Sequence, residues 1–138
     1  MKKQLINLLG LGVIFASMAA TAQTVNMKAN IPFSFVVNGP ALPSGEYKIE
    51  GLGVTGSAIS IRNLDGKGNG LVLAQPCEAG ATSTRSKLVF HRYGNRYFLA
   101  KIWLAGSKSG REIPTSRNEV ELAKATTPEN VVLLAELQ

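Results

Sequence analysis

Apolar and polar side chains alternate along much of this chain, with the period of two expected of a strand half-buried in a sheet. Ile31, Phe33, Phe35 and Val37 share one face of the run 31–37. Pro32 donates no ladder hydrogen bond, so this strand is expected to start there or to lie at a sheet edge. Turn residues follow: Asn38, Gly39 and Pro40, then Pro43, Ser44 and Gly45. Residues 46–50 put Tyr47 and Ile49 inward, and residues 57–62 do the same with Ile59 and Ile61. Asn63, Leu64, Asp65 and Gly66 predict a tight reversal. Residues 70–74, with Leu71, Val72 and Leu73, predict a short, continuously apolar strand, and residues 75–84 have no periodicity and read as a loop.

The clearest hairpin spans 86–103 around Gly94 and Asn95, a pair suited to a type II′ or I′ turn. With Tyr93 facing Arg96, the register pairs Arg92 with Tyr97, His91 with Phe98, Phe90 with Leu99 and Val89 with Ala100. Apolar groups then lie on both faces, which predicts burial from both sides. The character changes after Gly106. Residues 108–115 are polar and contain Pro114, and 116–125 predict a short surface helix in which Ser116 and Glu119 have capping-box spacing. Val131 to Leu134 read as a closing strand, in preference to a helix begun at Thr127 and Pro128. The pattern predicts a mainly β (all-β) fold: a single antiparallel β-sandwich or small β-barrel of about seven strands, with one short helix near the C-terminus. It does not choose between sandwich and barrel.

The N-terminus has a different pattern. Lys2 and Lys3 precede an uncharged apolar run from Leu5 to Met18, and Ala20, Thr21 and Ala22 fit the small-residue rule for cleavage before Gln23. The run is shorter than the roughly 18 residues of a spanning helix. Residues 1–22 are therefore expected to be a cleaved signal peptide, and 23–138 a single β domain in the periplasm or outside the cell, without a transmembrane segment. Without Lys2 and Lys3, thirteen basic and nine acidic side chains leave a charge of +4. The basic residues are dispersed and form no run, so no nucleic-acid partner is expected.

Four stretches of the chain look familiar: NIPFSFVVNGPALPSGEYKIE at 30–50, IRNLDGK at 61–67, SKLVFHRYGNRYFLAKIW at 86–103 and GREIPTSRNEVELA at 110–123. In this order they resemble a family of small exported proteins of unknown function common in acidobacterial genomes. The resemblance implies one exported domain in a double-membraned host and assigns no functional residue.

Candidate chemistry is sparse. His91 is the only histidine, Asp65 the only aspartate and Cys77 the only cysteine. A Ser-His-Asp triad would need His91 and Asp65 together, yet Asp65 is explained by its turn. A Cys77–His91 pair would need the loop before the hairpin to fold back. Cys77 has no disulfide partner within the chain and is expected to be a buried thiol. One His, one Cys and one Asp do not fill a closed zinc site, and no cofactor motif appears. Residues 66–70, rich in glycine, precede no helix that could hold a phosphate. Glu46 and Glu50 share a face but lie about 13 Å apart, while Glu112, Glu119 and Glu121 are expected to form surface ion pairs with Arg111 and Arg117.

The hairpin concentrates the remaining polar aromatic chemistry. His91, Arg92, Tyr93, Arg96 and Tyr97 are the candidate ligand-binding residues, with Arg92 placed for a cation–π contact to Tyr97. The expectation is a non-enzymatic domain that binds an envelope lipid, a glycan or a protein partner. A protein partner would add a strand along an exposed edge at 31–37. The alternatives are a hydrolase centred on His91 and a structural or assembly component of the envelope.

Overall fold

The computed structural model describes residues 24–137, so residues 1–22, read above as a signal peptide, lie outside the described residues. Strands β1 (Asn26–Ile31), β2 (Phe35–Val36), β3 (Ala41–Leu42), β4 (Gly45–Leu52), β5 (Ala58–Asn63) and β6 (Asn69–Leu73) come first. They are followed by β7 (Gln75–Glu78), β8 (Lys87–Tyr93), β9 (Arg96–Trp103), β10 (Ser109–Glu112), helix α1 (Arg117–Ala125), β11 (Glu129–Leu134) and β12 (Glu136–Leu137). The described residues thus hold twelve strands, more than the seven expected, though β2, β3 and β12 have only two residues each.

The strands form two sheets that do not close into a barrel, which decides for the sandwich. The first sheet runs β12-β1-β4-β5-β6, all antiparallel. The second runs β11-β8-β9-β10-β7, and β2 pairs in parallel with the start of β9 while holding β3 on its other side. The core lies between the sheets. Met27, Ile31, Tyr47, Ile49, Ile59 and Ile61 come from the first sheet, and Phe35, Leu88, Phe90 and Ile102 from the second. These are the inward positions of the period-two pattern, and burying them supplies roughly 1.5–3 kcal/mol for each large side chain.

The sheets are joined at both sides by chain that switches between them. β6 leaves the first sheet and becomes β7 of the second at Ala74, and β11 leaves the second and becomes β12 of the first at Ala135. Both alanines are buried, and each amide is tied across the corner. Ala74 N–H donates to the Ser57 carbonyl at 2.7 Å, and Ala135 N–H to the Ser86 carbonyl at 2.9 Å.

Several expectations change. The run 31–37 is not one strand: Pro32 ends β1, and the chain crosses to the other sheet before β2. The alternation survives, with Ile31, Phe35 and Val37 buried, because both halves face the same core. Only part of it is an edge: β2 lies between β3 and β9, whereas β1 pairs with β12 at Met27 and Lys28 only, so Ala29 to Ile31 have a strand partner on the β4 side alone. Residues 75–84 are not all loop, because 75–78 form β7 against β10, and 109–112 in the polar stretch form β10. In β6 only Val72 is buried, and Leu71 and Leu73 face solvent. The hairpin keeps the expected register from Tyr93–Arg96 to Phe90–Leu99, but a bulge then pairs Val89 with Lys101 rather than Ala100. Gly94 carries a φ of +62° and Asn95 does not share it, the pattern of a type II′ turn. The closing strand over 131–134 lies within β11, paired with β8.

Candidate binding groove at the hairpin tip

Strand alternation sorts the five candidate residues onto different faces of the β8–β9 hairpin. Phe90 and Leu99 are a register pair in the inter-sheet core, so Arg92 and Tyr97, two residues along, share their face at the mouth of the sandwich. His91, Tyr93 and Phe98 take the opposite, outer face. Outer-face residues Tyr93, Phe98, Ala100 and Trp103 are buried but do not belong to the inter-sheet core. The expectation of burial on both faces therefore holds. Gly110 helps at one end. It lies opposite Trp103 in the ladder, and a Cβ there would fall 2.6 Å from the Ile102 carbonyl oxygen and 2.8 Å from indole Cζ3.

On the inner face, Tyr97 is already engaged. Phe33 stacks on it with centroids 3.8 Å apart, and the Arg92 guanidinium carbon lies 5.6 Å from its ring centroid, the expected cation–π contact. Arg92 also donates to the Gly94 carbonyl at 2.8 Å and approaches Glu129 at 3.8 Å. Arg92 and Tyr97 thus brace the turn.

The outer face holds a group that sequence reasoning misplaced. Ser116 caps α1 as expected, its Oγ accepting from Glu119 N–H at 3.2 Å. The Glu119 side chain does not complete a capping box or meet Arg117 at the surface. It is 5 % exposed, and its Oε2 accepts from Tyr93 Oη at 2.9 Å and from His91 Nδ1 at 2.8 Å. Burial, then the Glu119 carboxylate, push the Tyr93 phenol up to about 12. Glu119 is the one residue of α1 that is buried. A helix with no apolar stripe, docked on an apolar face, was the available signal that something polar must hold it.

The other candidates do not assemble around His91. Asp65 sits in the β5–β6 turn of the opposite sheet, where its amide donates to Asn63 Oδ1 at 2.8 Å. Cys77 is on β7, three strand spacings from β8, about 14 Å. Its thiol is only partly buried, yet burial, then Glu112, raise its pKa and disfavour the nucleophilic thiolate. The glycine-rich stretch 66–70 leads into β6 rather than a helix. Arg111 does not join a surface ion pair with its neighbouring glutamates: it reaches the first sheet, donating to the Gly56 carbonyl at 3.3 Å. Glu46 and Glu50 each have cations of their own, Lys28 at 3.6 Å and Lys48 at 2.7 Å. The Lys48 hydrogen bond holds the Glu50 carboxyl below the usual range. Among the described residues no three of His, Cys, Asp and Glu converge as a metal-ligand set, and no helix is long and apolar enough to cross a membrane.

An open groove of about 290 Å³ lies where the hairpin tip meets the β2–β3 turn and the first turn of α1. Its polar lining is Ser34, Asn95, Arg96, Tyr97 and Asn118, and Gly39, Pro40 and Ala41 form an apolar wall. The wall depends on a left-handed turn residue, Asn38 at φ +44°, a conformation asparagine tolerates. Arg96 lies over the Phe98 ring, its guanidinium carbon 5.5 Å from the centroid. Among the described residues it has no carboxylate within ion-pair distance, unlike Arg92 and Arg62. Of the five candidates, Arg96 and Tyr97 line this groove, and His91, Arg92 and Tyr93 do not. Asn118 and Ser34 were missed because only the tertiary fold brings them to the hairpin. No protein-family model matches the chain, and neither a curated protein nor a solved structure matches it.

Proposed function

We propose that the protein is a non-enzymatic, exported β-sandwich domain that binds an acidic glycan of the cell envelope in the groove at the hairpin tip. The observation that carries this reading is Arg96, a guanidinium without a carboxylate partner beside Asn95, Asn118 and Ser34. A planar guanidinium matches a carboxylate in bidentate fashion, and amide and hydroxyl groups match sugar hydroxyls. The volume suits one sugar unit and is small for a lipid chain. Export rests on the reading of residues 1–22 and on the resemblance to small exported acidobacterial-type proteins.

The test is an NMR titration of the protein recovered from an exporting host, with a tri-uronate oligosaccharide and its neutral hexose counterpart. Amide shifts at Asn95, Arg96, Tyr97 and Asn118 with the uronate alone are expected, and Arg96→Ala should weaken binding about tenfold or more. Equal binding of both sugars, no shift at these amides, or unchanged affinity in Arg96→Ala would refute the proposal.

The hydrolase reading finds one point in its favour, a carboxylate that orients His91. It lacks a nucleophile: the His91 hydrogen bonds among the described residues include no Ser, Thr or Cys. Hydrolysis of the oligosaccharide by the wild type, lost in a folded His91→Ala variant, would move the assignment there.

A further inference from the structure

The outer face of the first sheet is divided. Lys28, Glu46, Lys48, Glu50 and Arg62 form a lattice of ion pairs over one part. The other part is apolar. Leu71 and Leu73 on β6 are 60 % and 70 % exposed, and the ladder places Leu73, Ala58 and Leu52 in one row. Val54, in the adjoining β4–β5 loop, is 99 % exposed. β6 is also the last strand of its sheet, so one side of its backbone faces no strand.

Unpaired strand edges are normally blunted by charge, proline or brevity. Most other free edges among the described residues follow that rule: β7 contains Pro76 and Glu78, β12 has two residues including Glu136, and β3 has only two residues. β11 carries a charge only at its first residue, Glu129. β6, with the sequence Asn-Gly-Leu-Val-Leu, has none of these devices.

We infer that β6 is a homodimer interface, pairing antiparallel with β6 of a second copy about a two-fold axis near Leu71 to give a continuous ten-stranded sheet. The strand is complementary to itself in this register. Leu71 faces its own copy. Val72 on the core side faces Gly70, so a large side chain meets none, and Leu73 faces Asn69. The paired stretch 69–73 carries no charged side chain, so no like charges oppose each other within it in a chain whose region 23–138 is net positive. On the outer face the four leucines become one contiguous strip, with Leu52 at each end of it. An interface of this type is isologous and closes at two copies. Its area is small, so association is expected at roughly micromolar concentration.

Sedimentation equilibrium of the exported protein over rising concentration tests this. A doubled mass is expected for the wild type and for Leu134→Lys, which alters the opposite side of the sandwich. The monomer mass is expected for Leu71→Lys/Leu73→Lys, whose substituted side chains are exposed and leave the circular dichroism unchanged. In a Cys77→Ser background, Leu71→Cys should form a disulfide-linked dimer on mild oxidation and Leu134→Cys should not. A wild type monomeric up to roughly 1 mM, or a dimer that survives the double lysine variant, would overturn the inference. So would a dimer lost in Leu134→Lys.

Discussion

Removing the Glu119 carboxylate should release α1 while leaving the sandwich folded. The helix has nine residues, shorter than the roughly 12–15 at which isolated helices become even marginal, so it depends on docking. Its apolar side chains do not supply that docking: Val120 is exposed and Leu122 only half-buried. Two donors converge instead on one oxygen, Glu119 Oε2, from Tyr93 at 2.9 Å and His91 at 2.8 Å. A hydrogen bond to an ionised acceptor contributes roughly 1.5–3 kcal/mol. The Tyr93 share applies nearly in full to the docked helix, in which its hydroxyl is buried against Glu119. His91 is about a third exposed and recovers solvent, so its share falls to roughly 0.5–1 kcal/mol. Glu119→Ala should therefore cost about 2–4 kcal/mol, concentrated in the helix. Glu119→Gln keeps a carbonyl oxygen at the Oε2 position and should cost about half as much or less. Hydrogen exchange read by mass spectrometry is the assay: protection over 117–125 should vanish in Glu119→Ala while β4, β5 and β8 stay protected. Unchanged protection in Glu119→Ala would refute the docking role. A glutamine variant as unstable as the alanine would show that charge, not hydrogen-bond geometry, holds the helix.

Two other perturbations follow from packing and ionisation. Gly110→Ala places a methyl group against the Trp103 ring and the Ile102 carbonyl oxygen, 2.6 Å away, and should destabilise by roughly 1–3 kcal/mol. The same variant should shift Trp103 emission to the red as the indole is displaced into water, and a urea midpoint equal to the wild type would contradict this packing. Tyr93 has a folded-state pKa of about 12, above the ordinary value of about 10, so the folded protein holds this proton more tightly than the unfolded chain does. Its contribution is present in full below about pH 10 and is lost as pH rises toward 12. Tyr93→Phe should remove that part of the alkaline loss of stability, and identical alkaline unfolding profiles would count against it.

The inward positions of β4, β5 and β8 were legible because a strand between a core and solvent writes period two into its own sequence, as Tyr47, Ile49, Ile59, Ile61 and Phe90 do. The turn at Gly94 and the Ser116 cap were legible because their chemistry is local. β7 and β10 were not. Gln-Pro-Cys-Glu and Ser-Gly-Arg-Glu carry no strand pattern, and they are strands because each completes the other's hydrogen bonds beside β9. The switch between sheets was likewise invisible. The run around Pro32 alternates without a fault, because a chain crossing from one inner face to the other keeps facing the same core.

Glu119 is the plainest such case, and it ties the docking of α1 to the groove. Capping-box spacing is satisfied by Ser116 and Glu119 in sequence, yet the carboxylate finds stronger donors 26 and 28 residues away, at Tyr93 and His91. A buried carboxylate with two donors is more favourable than one reaching back to a single exposed amide, so tertiary structure overrides the local motif. The consequence reaches the neighbouring residue. Asn118 precedes Glu119 on the same turn and is the only residue that α1 contributes to the groove lining. The position of Asn118 is therefore set by hydrogen bonds made on the outer face of the hairpin, while Arg96 is set by the hairpin turn itself. Loss of Glu119 should remove one wall of the groove and leave its cation in place. Glu119→Ala should then weaken uronate binding less than Arg96→Ala does, and the amide of Asn118 should lose its response to ligand while those of Asn95 and Arg96 keep theirs.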